Sequence, residues 1–414
     1  MLVDAEVQPV ELESTVSLLL SRVVQLERLL IEGSEFDHVG GEDNGGIDGR
    51  SHAWRIPTPQ ETCSRAAMTP YRVGLPRENE RTIGLASTET HVDVGGREIR
   101  ISSPEKVLFP EPGWTKLDVV EHFLMCAPAA LRGVYNRPVL LKRWNQGVGE
   151  RALFVKRPKG APRLVNVTFP SARPGQMFAP MDESDIIWMA QMNCIDLNPW
   201  NARADDLIHP DELRIDLDPT DGYDFETARD VAATVNEVLR ELGLVGWPKT
   251  SGNRGIHIYI RVEQEWDFYQ VRRAGLALAR EVERRNDLAT TAWWKEERDG
   301  VFLDFNQNAW DKSIASAYSI RHTGLVSTPF EWSELPDIDH RAMDMMSFKD
   351  RWADVGDLTE GIDEAAGRLE GLLEMVEADE ENGLGDAPWP PHYPKMPGEP
   401  PRVQPSKMRK ENWE

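Results

Sequence analysis

Residues 214–222 read RIDLDPTDG. Leu213, Ile215 and Leu217 alternate with Arg214, Asp216 and Asp218, the period of a strand buried on one face. The other face then carries two carboxylates side by side, their Cα atoms about 6.6 Å apart and their side chains pointing the same way. Such a pair repels itself unless cations relieve it, and two divalent ions about 3.5–4 Å apart would do so. In a chain with 70 Asp and Glu residues, a lone D-x-D reads first as a solvated strand face. Its meaning depends on what surrounds it.

Two further stretches supply the surroundings. In KTSGNRGIHIYI, residues 249–260, a small polar turn leads into a strand. Backbone N–H groups of such a turn approach an anion closely, with Ser251 and Arg254 as further donors. Ile256, Ile258 and Ile260 share one face of the strand, leaving His257 and Tyr259 on the other; a tight hairpin with a surface histidine is the plainer alternative. In GVFLDFNQNAWDKSIASAYSIRHTG, residues 300–324, Val301, Leu303 and Phe305 form an inward face that leaves Asp304 opposite. An acid in so apolar a strand needs a partner, and a metal is one candidate. Further on, Ser319 and Arg321 share a face, and a fixed guanidinium there can take phosphate oxygens bidentately. A structural salt bridge is the alternative for both Asp304 and Arg321. Three carboxylates, an anion-type turn with a histidine, and an arginine make up the parts list of metal-assisted phosphoryl or nucleotidyl transfer. G-x-x-x-x-G-K-[ST], H-E-x-x-H and C-x-x-C are absent, which removes P-loop, zincin and zinc-ribbon readings.

Bulk properties are compatible with that chemistry. The chain has 414 residues, 40% hydrophobic and 28% charged, room for about two or three domains of an ordinary soluble protein. No apolar run approaches the ~18 residues that span a bilayer, and MLVDAEVQPV lacks the regions of a signal peptide. Three scattered cysteines, Cys63, Cys126 and Cys194, point to a reducing cytoplasm without structural zinc. The net charge of −23 argues against a polyanionic partner until its distribution is seen. Residues 1–50 hold eleven acids and three bases, whereas residues 101–180 hold twelve bases and five acids. A basic module inside an acidic chain can bind nucleic acid.

Along the chain, residues 1–33 read as an amphipathic helix with a short heptad seam at Leu12, Val16, Leu19, Val23, Leu26 and Leu30. About three heptads favour docking on the main domain over self-association. Residues 34–87 read as an irregular linker. Strand and helix patterns alternate over 88–340, with a basic module at about 98–180 and a catalytic sheet at about 185–335. Gly95-Gly96 marks a hairpin, Thr115 caps a helix, and Gly243 stops another. A helical segment over 341–383 precedes a Pro-rich extended tail over 384–414.

At SPEKVLFPEPGWTKLDVVEHF, RPVLLKRW, RIDLDPT, PKTSGNRGIHIYI, VFLDFNQNAW and YSIRHTGLVSTPFEW, the chain resembles the polymerase domain of bacterial DNA ligase D, in the archaeo-eukaryotic primase superfamily. The match runs over about residues 98–340. The resemblance implies a mixed α/β (α+β) fold: a mainly antiparallel, RRM-like catalytic sheet with a second packed α/β module. It implies that Asp216, Asp218 and Asp304 are the metal-binding catalytic acids for two ions, Mn²⁺ or Mg²⁺. It further implies that Ser251, Arg254, His257, Gln307 and Arg321 bind the incoming nucleotide, and that Lys106 and Lys116 grip a DNA 5′-phosphate. Asn198 departs from the family, since DLNPW stands where ELHPW is usual, and altered metal or nucleotide handling is expected there.

With no K-x-D-G ligase motif, the expectation is a stand-alone, cytoplasmic, nucleoid-associated primase-polymerase. It would extend primers with NTPs or dNTPs at gaps or broken DNA ends, beside other end-joining proteins and away from membranes. A non-catalytic end-binding factor and another two-metal enzyme, such as a nuclease, are the alternatives.

Overall fold

The computed structural model describes residues 88–170, 172–390, 393–396 and 398–400. The expected helix over 1–33, the linker over 34–87 and residues 401–414 of the tail lie outside the described residues. In chain order, the basic module opens with β1 (Glu89–Val94) and β2 (Arg97–Ser102), a hairpin whose turn residues Gly95 and Gly96 both take positive φ. Next come β3 (Val107–Phe109), β4 (Trp114–Thr115) and α1 (Lys116–Arg132), with Thr115 as N-cap in a capping box with Asp118. They are followed by β5 (Val139–Arg143), β6 (Leu153–Val155), β7 (Leu164–Phe169), β8 (Ala172–Phe178), α2 (Glu183–Gln191) and β9 (Cys194–Pro199). The strands form a sheet in the order β6-β5-β8-β7, with β9 also antiparallel to β5. Val119, Val120 and Phe123 of α1 and Ile186 and Ile187 of α2 pack on Val139, Leu141 and Leu197 as its core.

The second sheet begins with β10 (Glu212–Pro219) and continues through α3 (Phe225–Glu241), β11 (Trp247–Thr250), β12 (Ile256–Arg261), α4 (Phe268–Arg285), β13 (Ala289–Thr290) and β14 (Val301–Leu303). Its order is β11-β12-β10-β14-β13, antiparallel except for the β13/β14 edge pair. The succession β-α-β-β-α-β with the first strand at the centre is the expected RRM-like arrangement. Leu213, Ile215 and Leu217 of β10 and Ile256, Ile258 and Ile260 of β12 are buried on one face against Val231 and Val235 of α3 and Ala274 and Leu278 of α4. Alternation sends Asp216, Asp218 and His257 to the face without helices. Short helices α5 (Phe348–Val355) and α6 (Glu370–Glu381) follow, giving six α-helices among the described residues.

The long segment after β14 joins the two sheets. Ser316 and Ile320 donate backbone N–H groups to Leu197 and Ile195 of β9, while Thr250 of β11 donates to Thr328. The Ser319 hydroxyl, fully buried, accepts from the Leu197 N–H (3.0 Å).

Candidate active site

The three acids meet at the middle of the second sheet. Asp216 lies opposite His257 in the β10/β12 ladder, and Asp218 opposite Phe302 in the β10/β14 ladder. β14 ends at Leu303, two residues short of the alternation that runs on to Phe305. Asp304 instead caps a 3₁₀ turn over Phe305–Asn308, its carboxylate accepting from the Asn306 N–H (3.0 Å). Its own N–H still donates to the Asp216 carbonyl (2.9 Å), which keeps it beside β10. The Gln307 side chain, one turn on, donates to Asp304 Oδ2 (2.9 Å) and to Asp216 Oδ2 (3.4 Å).

This crowding has an electrostatic signature. Burial pushes the Asp216 carboxyl up to about 8, the charges of Asp304 and Asp218 add to the rise, and Lys249 and Arg321 oppose it. Asp218 is raised by burial too, with Asp304 adding and Arg254 and Arg298 opposing. Clustered carboxylates that disfavour their own ionisation are the donor chemistry hard divalent cations select. Among the described residues, no group of three or more His, Cys, Asp or Glu side chains is arranged, as it stands, to hold a metal ion. The Gln307 amide spans the gap between Asp216 and Asp304.

His257 is nearly fully buried, with Nε2 3.3 Å from Asp216 Oδ1. Its Nδ1 meets Lys249 Nζ at 2.7 Å; the same nitrogen donates to the Ala315 carbonyl (2.8 Å) and to Ser327 Oγ (2.6 Å). Burial, then Lys249 and Arg321, hold the His257 imidazole well below its usual range. The ring stands between Lys249 at Nδ1 and Asp216 at Nε2. Lys249, itself buried, is held well below the usual lysine range, first by burial and then by the charge of Arg321. It was not among the residues singled out from the sequence, although it stands opposite His257 in the β11/β12 ladder.

The 250–255 turn is organised by Ser251. Its hydroxyl accepts from the N–H groups of Asn253 (3.2 Å) and Gly255 (3.0 Å), and its N–H donates to the Gly255 carbonyl (2.9 Å). Arg254 is exposed at the tip. Arg321 Nη1 donates to the Ser251 carbonyl (2.7 Å), holding a guanidinium against the turn. Arg321 Nε lies 4.0 Å from Asp196 Oδ2, and Lys142 Nζ is 2.8 Å from the same oxygen. Asn198 donates its amide to the Asp196 carbonyl (3.1 Å) on its own strand.

Lys106 and Lys116 belong to the other module. Lys106 Nζ donates to the Asn145 carbonyl, and buried Lys116 donates to the carbonyls of Ser102 (2.8 Å) and Gln191 (3.2 Å). Burial pulls Lys116 down to about 8, helped by the charges of Lys106 and Arg143. Among the described residues, no carboxylate forms a salt bridge with any of these three cations, so the cluster keeps an uncompensated positive field. Arg298 is a further cation by the acids: its guanidinium stacks on Phe302 (3.3 Å to the ring centroid). It lies in the loop between β13 and β14, where no periodicity marks it.

A sequence profile of the LigD primase-polymerase domain matches residues 115–359. Similar proteins include the multifunctional non-homologous end joining protein LigD of Mycolicibacterium smegmatis, 29% identical over 278 residues, covering 64% of this chain and 36% of that protein. The LigD of Mycobacterium tuberculosis H37Rv is 30% identical over 286 residues, covering 64% of this chain and 37% of that protein. The chain therefore spans little more than a third of the length of these relatives. Among solved structures, the polymerase domain from Mycobacterium tuberculosis Ligase D in complex with DNA superposes with a TM-score of 0.60 at 27% identity, covering 65% of this chain and 99% of that one. With the profile matching more than half of its residues, this chain belongs to the LigD primase-polymerase domain family.

Proposed function

We propose that the chain is a template-dependent nucleotidyltransferase that adds NTPs or dNTPs to a primer 3′-OH at gaps or broken DNA ends during non-homologous end joining. The observation that carries this reading is the convergence of Asp216, Asp218 and Asp304, with the neutral His257 and the Arg321-braced turn around them. The DNA complex of the structurally similar polymerase domain supports it.

Asp216, Asp218 and Asp304 would hold two divalent cations, Mn²⁺ or Mg²⁺, the Gln307 amide swinging aside. Bound there, the ions supply activation of the 3′-OH and neutralisation of the departing pyrophosphate. The protein's own part is placement. Arg254 and Arg321, carried on and against the Ser251 turn, orient the triphosphate for in-line attack, where positioning contributes most. His257, through Nε2, braces the Asp216 carboxylate. Lys106 and Lys116 would take the 5′-phosphate across the gap, and a protein acting on these substrates would work in the cytoplasm with the nucleoid.

A labelled, gapped primer-template with a 5′-phosphate, incubated with Mn²⁺ and NTPs, tests this directly. Products longer than the primer are expected. Asp216→Ala together with Asp218→Ala should abolish extension and leave DNA affinity within about threefold, because phosphate contacts dominate affinity. Products shorter than the primer would mean a nuclease. Binding that depends on the 5′-phosphate, with no incorporation under any metal, would mean an end-binding factor; the DLNPW departure favours that second reading.

A further inference from the structure

We infer that the Pro-rich C-terminal segment is a clamp that positions the catalytic turn from behind. This rests on the polymerase reading of the site. The segment lies beyond the region matched by the family profile, which ends at residue 359.

Arg272 of α4 is fully buried and stands between the catalytic turn and the tail. Its Nε donates to Asn306 Oδ1 (3.0 Å), its Nη1 to Asp386 Oδ1 (2.7 Å), and its Nη2 to the carbonyl of Pro388 (2.9 Å). The guanidinium packs over two rings, Trp389 at 4.2 Å and Phe305 at 5.1 Å. Trp389 is 1% exposed, and its indole N–H donates to the second oxygen of Asp386 (2.9 Å). Glu399 closes the segment on itself by accepting the Trp389 N–H (2.8 Å) and the Met396 N–H (3.0 Å). Further along, the Tyr393 hydroxyl bonds to the Trp310 carbonyl.

The grip falls on the residues that orient the acids. Asn306 accepts from Arg272 through its side chain and donates its N–H to Asp304 Oδ1 (3.0 Å). Gln307, the next residue, bridges Asp304 and Asp216. Asn308 pins the far end of the turn to Arg214 of β10 with a pair of hydrogen bonds, 2.7 and 2.8 Å. The near end, which bears Asp304, has the Asp386–Arg272–Asn306 chain as its side-chain brace. A buried guanidinium needs its anion; without Asp386 and the Trp389 ring, Arg272 must seek water or another acceptor, and Asn306 is released. Asp386 and Trp389 are therefore positioning residues for the acid–amide cluster, though they touch neither substrate nor ion.

The test uses the full chain with Asp386→Ala, Trp389→Ala and the conservative Trp389→Phe. Amide hydrogen exchange is read over residues 304–309 and, as a control, over α1. In the two alanine variants, exchange at Asn306 and Ala309 should accelerate by about tenfold or more while α1 stays protected. On the gapped primer-template, kcat should fall by about tenfold with the nucleotide KM and DNA affinity changed by less than about twofold, the pattern of lost alignment rather than lost binding. Trp389→Phe, which keeps a ring over the guanidinium, should recover most of kcat. Unchanged exchange over 304–309, or equal acceleration in α1, would overturn the clamp. Absence of extension by the unaltered chain would count against the polymerase reading alone, since the exchange experiment decides the clamp whichever reaction the acids perform.

Discussion

At the scale of single residues, the D-x-D alternation was enough to place Asp216 and Asp218 on a polar face, because period two is the strongest signal a half-buried strand emits. Asp304 was legible as an acid needing a partner, but its conformation was not. A cap on a 3₁₀ turn depends on the Asn306 N–H, which no alternation encodes. Lys249 went unrecognised because two of its three partners, Ala315 and Ser327, lie 66 and 78 residues further along the chain. Replacing it by Met should leave buried acceptors unpaired and lower stability by about 1–3 kcal/mol in a urea melt. The same variant should slow extension, as His257 loses its hydrogen-bond neighbour at Nδ1. Gly255 carries a sharper constraint. A Cβ there would stand 2.2 Å from the Leu217 carbonyl oxygen, next to the acids on β10. Gly255→Ala should therefore force β12 away from β10, costing about 1–3 kcal/mol and most of the extension activity, read from thermal melts and a gap-filling assay run in parallel.

At the scale of elements, the strands and the capped helix α1 were readable from the residues, whereas the path after β14 was not. Residues 315–330 have no regular period, since their backbone groups are satisfied by β9 on one side and β11 on the other. Their side chains follow those bonds rather than a repeat. The cationic cluster at the start of α1 shows how an element sets a titration. Lys116 follows the N-cap Thr115 and is buried, which brings its ammonium down to about 8. Protonated below that pH and neutral above it, Lys116 should lend its charge to a phosphate at pH 7 and withdraw it by pH 9. The affinity advantage of a 5′-phosphorylated over an unphosphorylated gap should accordingly shrink across that interval at constant salt. Lys116→Met should flatten the dependence, as fluorescence anisotropy would report.

At the scale of the whole molecule, the two sheets are also joined by a buried charge network that composition alone could not announce. Asp211 and Glu212, at the entry to β10, face Arg137 from the basic module and Arg261 from β12. Burial by itself would raise Glu212; Arg214, Arg137 and Arg261 outweigh it and hold the carboxyl down to about 2. A carboxylate depressed in the folded state stabilises the fold above its unfolded pKa, near 4.3, and that contribution is lost as pH falls toward 2. The melting temperature should therefore fall steeply below about pH 4.5, followed by circular dichroism. Arg137→Met at pH 7 should cost about 3–5 kcal/mol, since it strands buried acids.

One consequence of the connector between the sheets concerns measurement. Ser316 and Ile320 are bonded into β9 and Thr328 into β11, so the cations of one module and the acids of the other are held by main chain on both sides. If the cations hold the downstream end of a gap while the acids hold the growing end, the protein works as a caliper with fixed jaws. The number of missing nucleotides it fills efficiently is then written into its architecture, and lengthening the gap beyond that span obliges it to let go of one end.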